Sequence, residues 1–475
     1  MKGEGEWTLT DVCRLFASSY NNKSDSCYND FYNGLKNIPG IFYRGENKDL
    51  CFTGERNVIC DLSVLPFPYP FLTDYEKLSD EQRNHKIYYY ESSRGCPFSC
   101  SYCMSSIDRH VRFMPLERVF HDLQIFLDAG VSLVKFVDRT YNIDPDRYIA
   151  IWDYILNHHN GKTMFHFEIE AEYLSESAIE FLQKVPAGVM QFEIGVQSSN
   201  KKTLAAISRS TNIEKLAENV LRVPKTIHQH LDLIAGLPYE DLESFGRSFD
   251  FVMSLRPDAL QLGFLKVLSG TVMESYAKSN GWKWMDSPVY ETFSTPYMSY
   301  KDMLFLKDLE VAVDAYWNSG VFNHFMSFVL RKWNSSWKFF SDFTLWGEKK
   351  GVFDDARRET YWFQAMWEFI NCDDNGNMAE NEPCNIPADI DISVLYDLLR
   401  YDFILRGKQG NFPEWYNHIY DKDRHRGMLE NEGGVINPRL AFGHSEYEVF
   451  NCDVQSDTPE LFKGRYEKLI HYKSK

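Results

Sequence analysis

The sequence predicts an α/β fold: an open (β/α)6 partial TIM-like barrel followed by a mainly helical C-terminal domain. Three observations carry this reading. From about residue 86, short β-branched or apolar runs alternate with helical periods. Successive runs stand about 25 to 45 residues apart, the rhythm of right-handed βαβ units around a parallel sheet. Beyond about residue 270 the rhythm stops, and nine of the eleven tryptophans fall between Trp282 and Trp415.

Residues 1–85 mix short helical patterns with a loop-rich run, "IFYRGENKDLCFTGERNVICDLSVLPFPYPFL". Its three prolines between Leu65 and Phe71 read as a connector lying against a neighbouring domain. The strand candidates of the next region, 86–275, are "KIYYYESS" (86–93), "SLVKFVD" (132–138), "TMFHFEIE" (163–170), "VMQFEIGV" (189–196), "HQHLDLIA" (228–235) and "ALQLGFLKV" (259–267). Between the first two, Leu116, Val119, Phe120, Leu123, Phe126 and Leu127 form one helical face behind Pro115. Six units are visible where a closed barrel needs about eight, which favours an open partial barrel over a flat doubly wound sheet. In either architecture functional groups belong at the C-terminal ends of the strands. In the last region, 276–475, the aromatic residues of "FNHFMSFVLRKWNSSWKFFSDFTLW" read as core or interface packing, with a substrate pocket as the alternative. The polar run "NCDDNGNMAENEPCN" (371–385) reads as a surface loop.

Across its 475 residues the chain is 44% hydrophobic with a formal charge of -17, an ordinary globular composition that argues against nucleic acid or an anionic membrane as partner. No apolar run reaches the ~18 residues of a membrane helix, and "MKGEGEWTLTDVC" has no apolar signal core. The expected location is therefore cytoplasmic, where clustered cysteines bind metal or catalyse more often than they pair.

Such a cluster follows the first strand. "SSRGCPFSCSYCMSS" (92–106) places Cys96, Cys100 and Cys103 in a C-x3-C-x2-C spacing. One face of a helix would explain the spacing, but Gly95, Pro97, Ser99 and Ser101 disfavour a helix. A structural zinc site needs a fourth ligand, which Cys372 and Cys384 do not supply convincingly. A four-iron cluster held by three thiolates keeps one iron open to substrate or cofactor.

"CPFSCSYC", with Tyr102 before the last cysteine and a strand before the first, resembles the radical S-adenosylmethionine (SAM) enzymes. The resemblance implies a [4Fe-4S] cluster on Cys96, Cys100 and Cys103, with SAM chelating the open iron and reductive cleavage giving a 5'-deoxyadenosyl radical. It extends over residues 40–275. "VKFVDRTYN" places Asp138 at the end of the second strand, and "FEIGVQSSNKKTL" places Glu193 and Gln197 where relatives face SAM. "LIAGLPYED" resembles the fifth-strand glycine turn and "LKVLSGT" the sixth-strand end. Arg209 in "AISRST" either pairs with the SAM carboxylate or is solvated. Glu170, Glu193 and Asp232 also admit a plain reading as hydrogen-bonded carboxylates inside strands, and Gly236 and Pro238 as turn residues.

"KGEGEWTLTDV" and the connector "VICDLSVLPFPY" resemble the end and the linker of a cobalamin-binding domain found upstream of this barrel in one branch of the family, although the D-x-H-x-x-G pattern is absent. The sequence starts where that domain would end, so the expectation is that cobalamin is possible as a cofactor although its domain is not present in this chain; if cobalamin is used, methyl transfer is the reaction the branch implies. The tryptophan-rich C-terminal region resembles the DUF4080 type. Cys13, Cys27, Cys51 and Cys60 show no methylthiotransferase hallmark and read as ordinary buried or free thiols. The implied partners are a small-molecule or peptide substrate of unknown identity and an electron donor such as flavodoxin or ferredoxin. A non-catalytic iron-sulfur protein for electron transfer or sensing is the rival reading, and a zinc scaffold the third.

Overall fold

The computed structural model describes residues 3–21, 27–45, 48–333, 335–372, 386–387, 389–407, 412–418, 420–431, 441 and 444–472. Helices α1 (Glu6–Asn21) and α2 (Cys27–Leu35) open the chain. A small apolar cluster of Leu35, Ile38 and Ile41, with Val12, Leu15 and Phe31, holds them together. Cys13, Cys51 and Cys60 are free thiols. The proline-rich connector then crosses the next layer: Leu62 and Leu72 are fully buried, and Phe67 and Tyr69 meet Phe126 edge to face at 5.2 and 5.9 Å.

The sheet that follows contains six strands: β1 (Ile87–Tyr90), β2 (Leu133–Phe136), β3 (Met164–Ile169), β4 (Met190–Gln197), β5 (His228–Ala235) and β6 (Ala259–Phe264). They lie in sequential order, every neighbouring pair parallel, and β6 does not pair with β1. The six predicted runs each became one strand of an open sheet. Helices α3 (Leu116–Ala129), α4 (Pro145–His158), α5 (Glu176–Leu182), α6 (Ile213–Arg222) and α7 (Leu242–Ser254) make the crossovers. The predicted face of α3 is the buried one, and Gly130 ends the helix in the left-handed conformation at φ 61°.

Alternation along β4 shows how the sheet sorts its residues. Met190, Phe192, Ile194 and Val196 are buried, whereas Gln191, Glu193, Gly195 and Gln197 are half-buried on the inner face. Because side chains alternate across a strand, this register alone decides which polar groups enter the interior.

After β6 the chain continues through α8 (Val272–Ser279), α9 (Tyr300–Val313), α10 (Asn323–Lys332), α11 (Ser336–Lys350), α12 (Glu359–Ile370), α13 (Ile392–Leu405) and α14 (Lys422–Asn431). It ends in an antiparallel hairpin, β7 (Ser445–Cys452) with β8 (Lys463–His471), which the helical reading of this region did not anticipate. Trp282, Trp333, Trp346 and Trp415 are buried in the apolar core that is continuous with that of the sheet, so their role is packing. A Cβ at Gly246 of α7 would lie 2.7 Å from Trp337 Nε1 of α11, and Asp250 accepts from Trp337 N (2.8 Å) and Ser335 Oγ (2.7 Å). The C-terminal region is thus docked on the barrel helix α7. Apart from residues 371 and 372, the polar run 371–385 lies outside the described residues. No helix among the described residues is long and apolar enough to cross a membrane.

Candidate functional site

The cysteine loop leaves the C-terminal end of β1 and is closed by a two-residue antiparallel ladder, Ser93–Arg94 with Arg112–Phe113. Gly95 turns the chain at φ 100°, and a Cβ there would stand 2.3 Å from the His110 carbonyl oxygen. Only glycine permits that approach. Cys96 N donates to Asp108 O at 3.0 Å, Ser101 N to Ile207 O at 2.9 Å, and Met273 N to Ser101 O at 2.9 Å. The loop is therefore strung between the segments that follow β4 and β6. It contains no helix from 95 to 103, which disposes of the helical-stripe reading.

Cys96 and Cys100 are buried, Cys103 is half-buried, and all three are free thiols. Cys96 Sγ lies 3.4 Å from Thr140 Oγ1, and Arg209 Nη1 approaches Cys100 Sγ at 3.9 Å. Burial pushes the Cys100 thiol up, and the Arg209 charge pulls it back toward thiolate. Among the described residues no group of three or more His, Cys, Asp or Glu side chains converges on a single metal ion.

The other predicted site residues separate into three groups. Asp138, at the exit of β2, accepts from Ser92 N (2.9 Å), Ser92 Oγ (2.7 Å) and Ser93 Oγ (2.5 Å). Burial pushes its carboxyl up to about 6 against these bonds. Its carboxylate thus anchors the approach to the cysteine loop. Glu193 lies deeper on the inner face, where Oε2 accepts from His166 Nε2 (2.9 Å) and Lys135 Nζ (2.8 Å), bonds that hold its carboxyl down at about 2.

Gln197, Arg209 and Tyr102 come together near the thiols, with Glu170 added. Arg209 Nη2 donates to both Glu170 oxygens (2.7 and 2.6 Å) and to Gly195 O (2.5 Å). Gln197 ends β4 at φ 69°, unusual for a side-chain-bearing residue. A Cβ at Gly195 would lie 2.2 Å from its Nε2, so the glycine makes room for that side chain. Tyr102 is half-buried in the loop, and burial raises its phenol. On the neighbouring strand Asp232 stands opposite Gly195, its carboxyl raised well above the ordinary range by burial and by Glu193 and Glu168.

Four buried polar atoms here have no partner: Gln197 Oε1, Asp232 Oδ1, Arg209 Nε and Ser101 Oγ. Orphaned buried polar atoms are costly, and of these residues Arg209 is the one that reaches a thiol, with Nη1 3.9 Å from Cys100 Sγ. Sequence reading had singled out Glu170 and Arg209 separately. Nothing local connects residues 39 apart, so their pairing was invisible there.

Behind the site, Glu240 is fully buried and accepts from Ser198 Oγ (2.5 Å) and Ser248 Oγ (3.0 Å), while burial pushes its carboxyl up to about 7 from 4.5. A carboxyl raised on folding costs stability as pH climbs from the unfolded value through the folded one, and the cost then stays constant. Glu240→Gln does not ionise. Its stability relative to the parent is expected to rise between pH 5 and pH 8 by on the order of 3 kcal/mol, at about 1.36 kcal/mol per unit. Denaturation curves at both pH values check this, and a pH-independent difference would count against it.

Comparison with known proteins places both halves of the chain among described families. Residues 90–252 match the radical SAM superfamily, and residues 278–461 match the protein family of unknown function DUF4080. An uncharacterised methyltransferase of Pyrococcus horikoshii is 23% identical over 290 residues, which is 59% of this chain and 58% of the relative. A probable threonylcarbamoyladenosine tRNA methylthiotransferase of Pyrococcus abyssi is 26% identical over 158 residues, 33% of this chain and 34% of the relative. Among solved structures, the cobalamin-dependent S-adenosylmethionine radical enzyme OxsB, with aqua-cobalamin and S-adenosylmethionine bound, superposes with a TM-score of 0.50 at 15% identity. That match covers 84% of this chain and 62% of OxsB. The chain spans less than two thirds of the length of these relatives. At such identity the structural likeness establishes the fold, and the family match locates the thiol loop within it. The match to the radical SAM superfamily thus takes in Cys96, Cys100 and Cys103, and the match to DUF4080 follows it along the chain.

Proposed function

We propose that this chain is a radical SAM enzyme in which Cys96, Cys100 and Cys103 hold a [4Fe-4S] cluster, SAM lies beside it, and a 5'-deoxyadenosyl radical attacks a substrate not yet identified. The observation that carries the reading is the loop of three free thiols at the C-terminal end of a parallel sheet, with Arg209 beside Cys100 and bonded to Gly195 O, the glycine that Gln197 and Asp232 flank. When bound, such a cluster supplies the electron that cleaves SAM.

The protein's own groups suit the rest of the task. Arg209 and Glu170 form a buried pair of opposite charges beside Cys100, able to face the carboxylate and amino group of an amino-acid moiety. Gln197 and Asp232 offer acceptors suited to paired hydroxyls. Asp138 positions the loop, and Tyr102 packs within it. Glu193 supports a SAM contact less well, because His166 and Lys135 already hold its carboxylate. A cavity of about 850 Å³ opens beside the loop, bounded by Gly3–Glu6, Gly95, Met104, Val137 and Arg139. Its volume suits a substrate or a second cofactor.

For the reaction, the methyltransferase name of the Pyrococcus horikoshii relative and the cobalamin-dependent neighbour favour methyl transfer, with cobalamin as the further cofactor. A flavodoxin or ferredoxin would deliver the electron. The test is anaerobic reconstitution with iron and sulfide, reduction, addition of SAM, and measurement of bound iron and 5'-deoxyadenosine. About four irons and steady 5'-deoxyadenosine formation are expected. Four irons with no 5'-deoxyadenosine would replace this reading by an electron-transfer or sensing role, and zinc without iron would replace both.

A further inference from the structure

The cysteine loop is long and its base is narrow. The ladder closing it has two residue pairs, and one of them sets Arg94 directly opposite Arg112. Two guanidiniums facing each other across an antiparallel pair repel, and a two-pair ladder has little stability of its own.

One carboxylate from the start of the chain answers both problems. Glu4 Oε1 accepts from Arg112 Nη1 at 2.6 Å and lies 3.2 Å from Arg94 Nη1, while Glu4 Oε2 accepts from Ile59 N at 2.5 Å. The three side chains are only 14%, 12% and 19% exposed for Glu4, Arg112 and Arg94. Surrounding groups complete the network without bridging the two arginines: Glu6 and Glu91 bind Arg94, and Asp108 binds Arg112.

We infer that Glu4 is a positioning residue for the cluster loop, clasping both ends of the segment that presents Cys96. This rests on the proposed function of that loop and adds a residue about ninety positions away from it. The clasp acts on one half only. Cys96 N bonds within the loop, to Asp108 O, and Met114 N bonds across its base to Ser92 O, whereas Ser101 is held by Ile207 from the other side. Loosening Glu4 therefore releases the Cys96 half and leaves the Cys100 half in place.

Hydrogen exchange on the metal-free full chain tests this, comparing the parent with Glu4→Gln and Glu4→Asp. In Glu4→Gln, exchange in peptides covering 93–98 and 112–114 is expected to accelerate about tenfold, with 99–104 and β5 unchanged. Glu4→Asp keeps the charge and should recover part of the protection. Reconstituted Glu4→Gln should also lose iron to a chelator faster than the parent. Unchanged exchange in 93–98, or equal acceleration in β4 and β5, would overturn the inference. Because exchange is read without metal, failure of the parent to bind iron would count against the proposed function and not against the clasp.

Discussion

Alanine at Cys96, Cys100 and Cys103 together is expected to reduce bound iron and 5'-deoxyadenosine formation to background while leaving the fold intact. The thiols are buried or half-buried, yet their polar contacts are few: Cys96 Sγ with Thr140 Oγ1 and Cys100 Sγ with Arg209 Nη1. The loop is held instead by backbone bonds from Cys96, Ser101 and Met273, which the substitutions preserve. Removing a small sulfur atom from each position costs roughly 1 kcal/mol at most in transfer terms, too little to unfold a domain of this size. Iron analysis, circular dichroism and the SAM-cleavage assay on the same preparation decide the matter. Iron retained at the parent level in the folded triple variant would mean that other ligands hold it.

Arg209→Met is expected to have the second largest effect, because it strips Glu170 of the countercharge it is bonded to. The pair is 8% and 13% exposed, and Glu170 is already pushed up by burial, with Arg209 opposing that rise. Breaking such a pair from one side costs about 3–5 kcal/mol. At about 2.1 cal/mol/K of unfolding entropy per residue, that corresponds to a fall in Tm of roughly 3–5 °C for a chain of this length. The double variant Arg209→Met, Glu170→Met removes both charges and should regain most of the lost Tm. It should not regain 5'-deoxyadenosine formation, since both groups assigned to SAM's amino-acid end are gone. A single variant with parental Tm and parental KM for SAM would remove Arg209 from the site altogether.

Glu193 and Asp138 show how much of a motif position's surroundings the sequence leaves open. Glu193 was expected to face SAM from its place in "FEIGVQ", and Asp138 was singled out at the strand end in "VKFVDR". In the fold Glu193 is engaged by two donors from β2 and β3, and Asp138 by Ser92 and Ser93. The strand positions were legible; the neighbours that claim the carboxylates were not. The hairpin β7–β8 was also missed, because "SEYEVFNC" alternates over only one strand length and sits beyond a long helical stretch.

By itself the sequence determined what depends on short range. The C-x3-C-x2-C spacing, the glycine before it and the six apolar runs are local patterns, and local chemistry dictates a loop of thiols at the end of the first strand of an open parallel sheet. Only the tertiary structure decided which distant groups meet there: Arg209 with Glu170, 39 residues apart, and Glu4 with Arg112, 108 residues apart. It also decided that Gln197 and Asp232 keep buried atoms unpartnered. The physical reason is register. Side chains alternate across each strand, so a slip of one residue in any pairing would send the polar set to the opposite face, and that pairing is set by packing across the whole sheet.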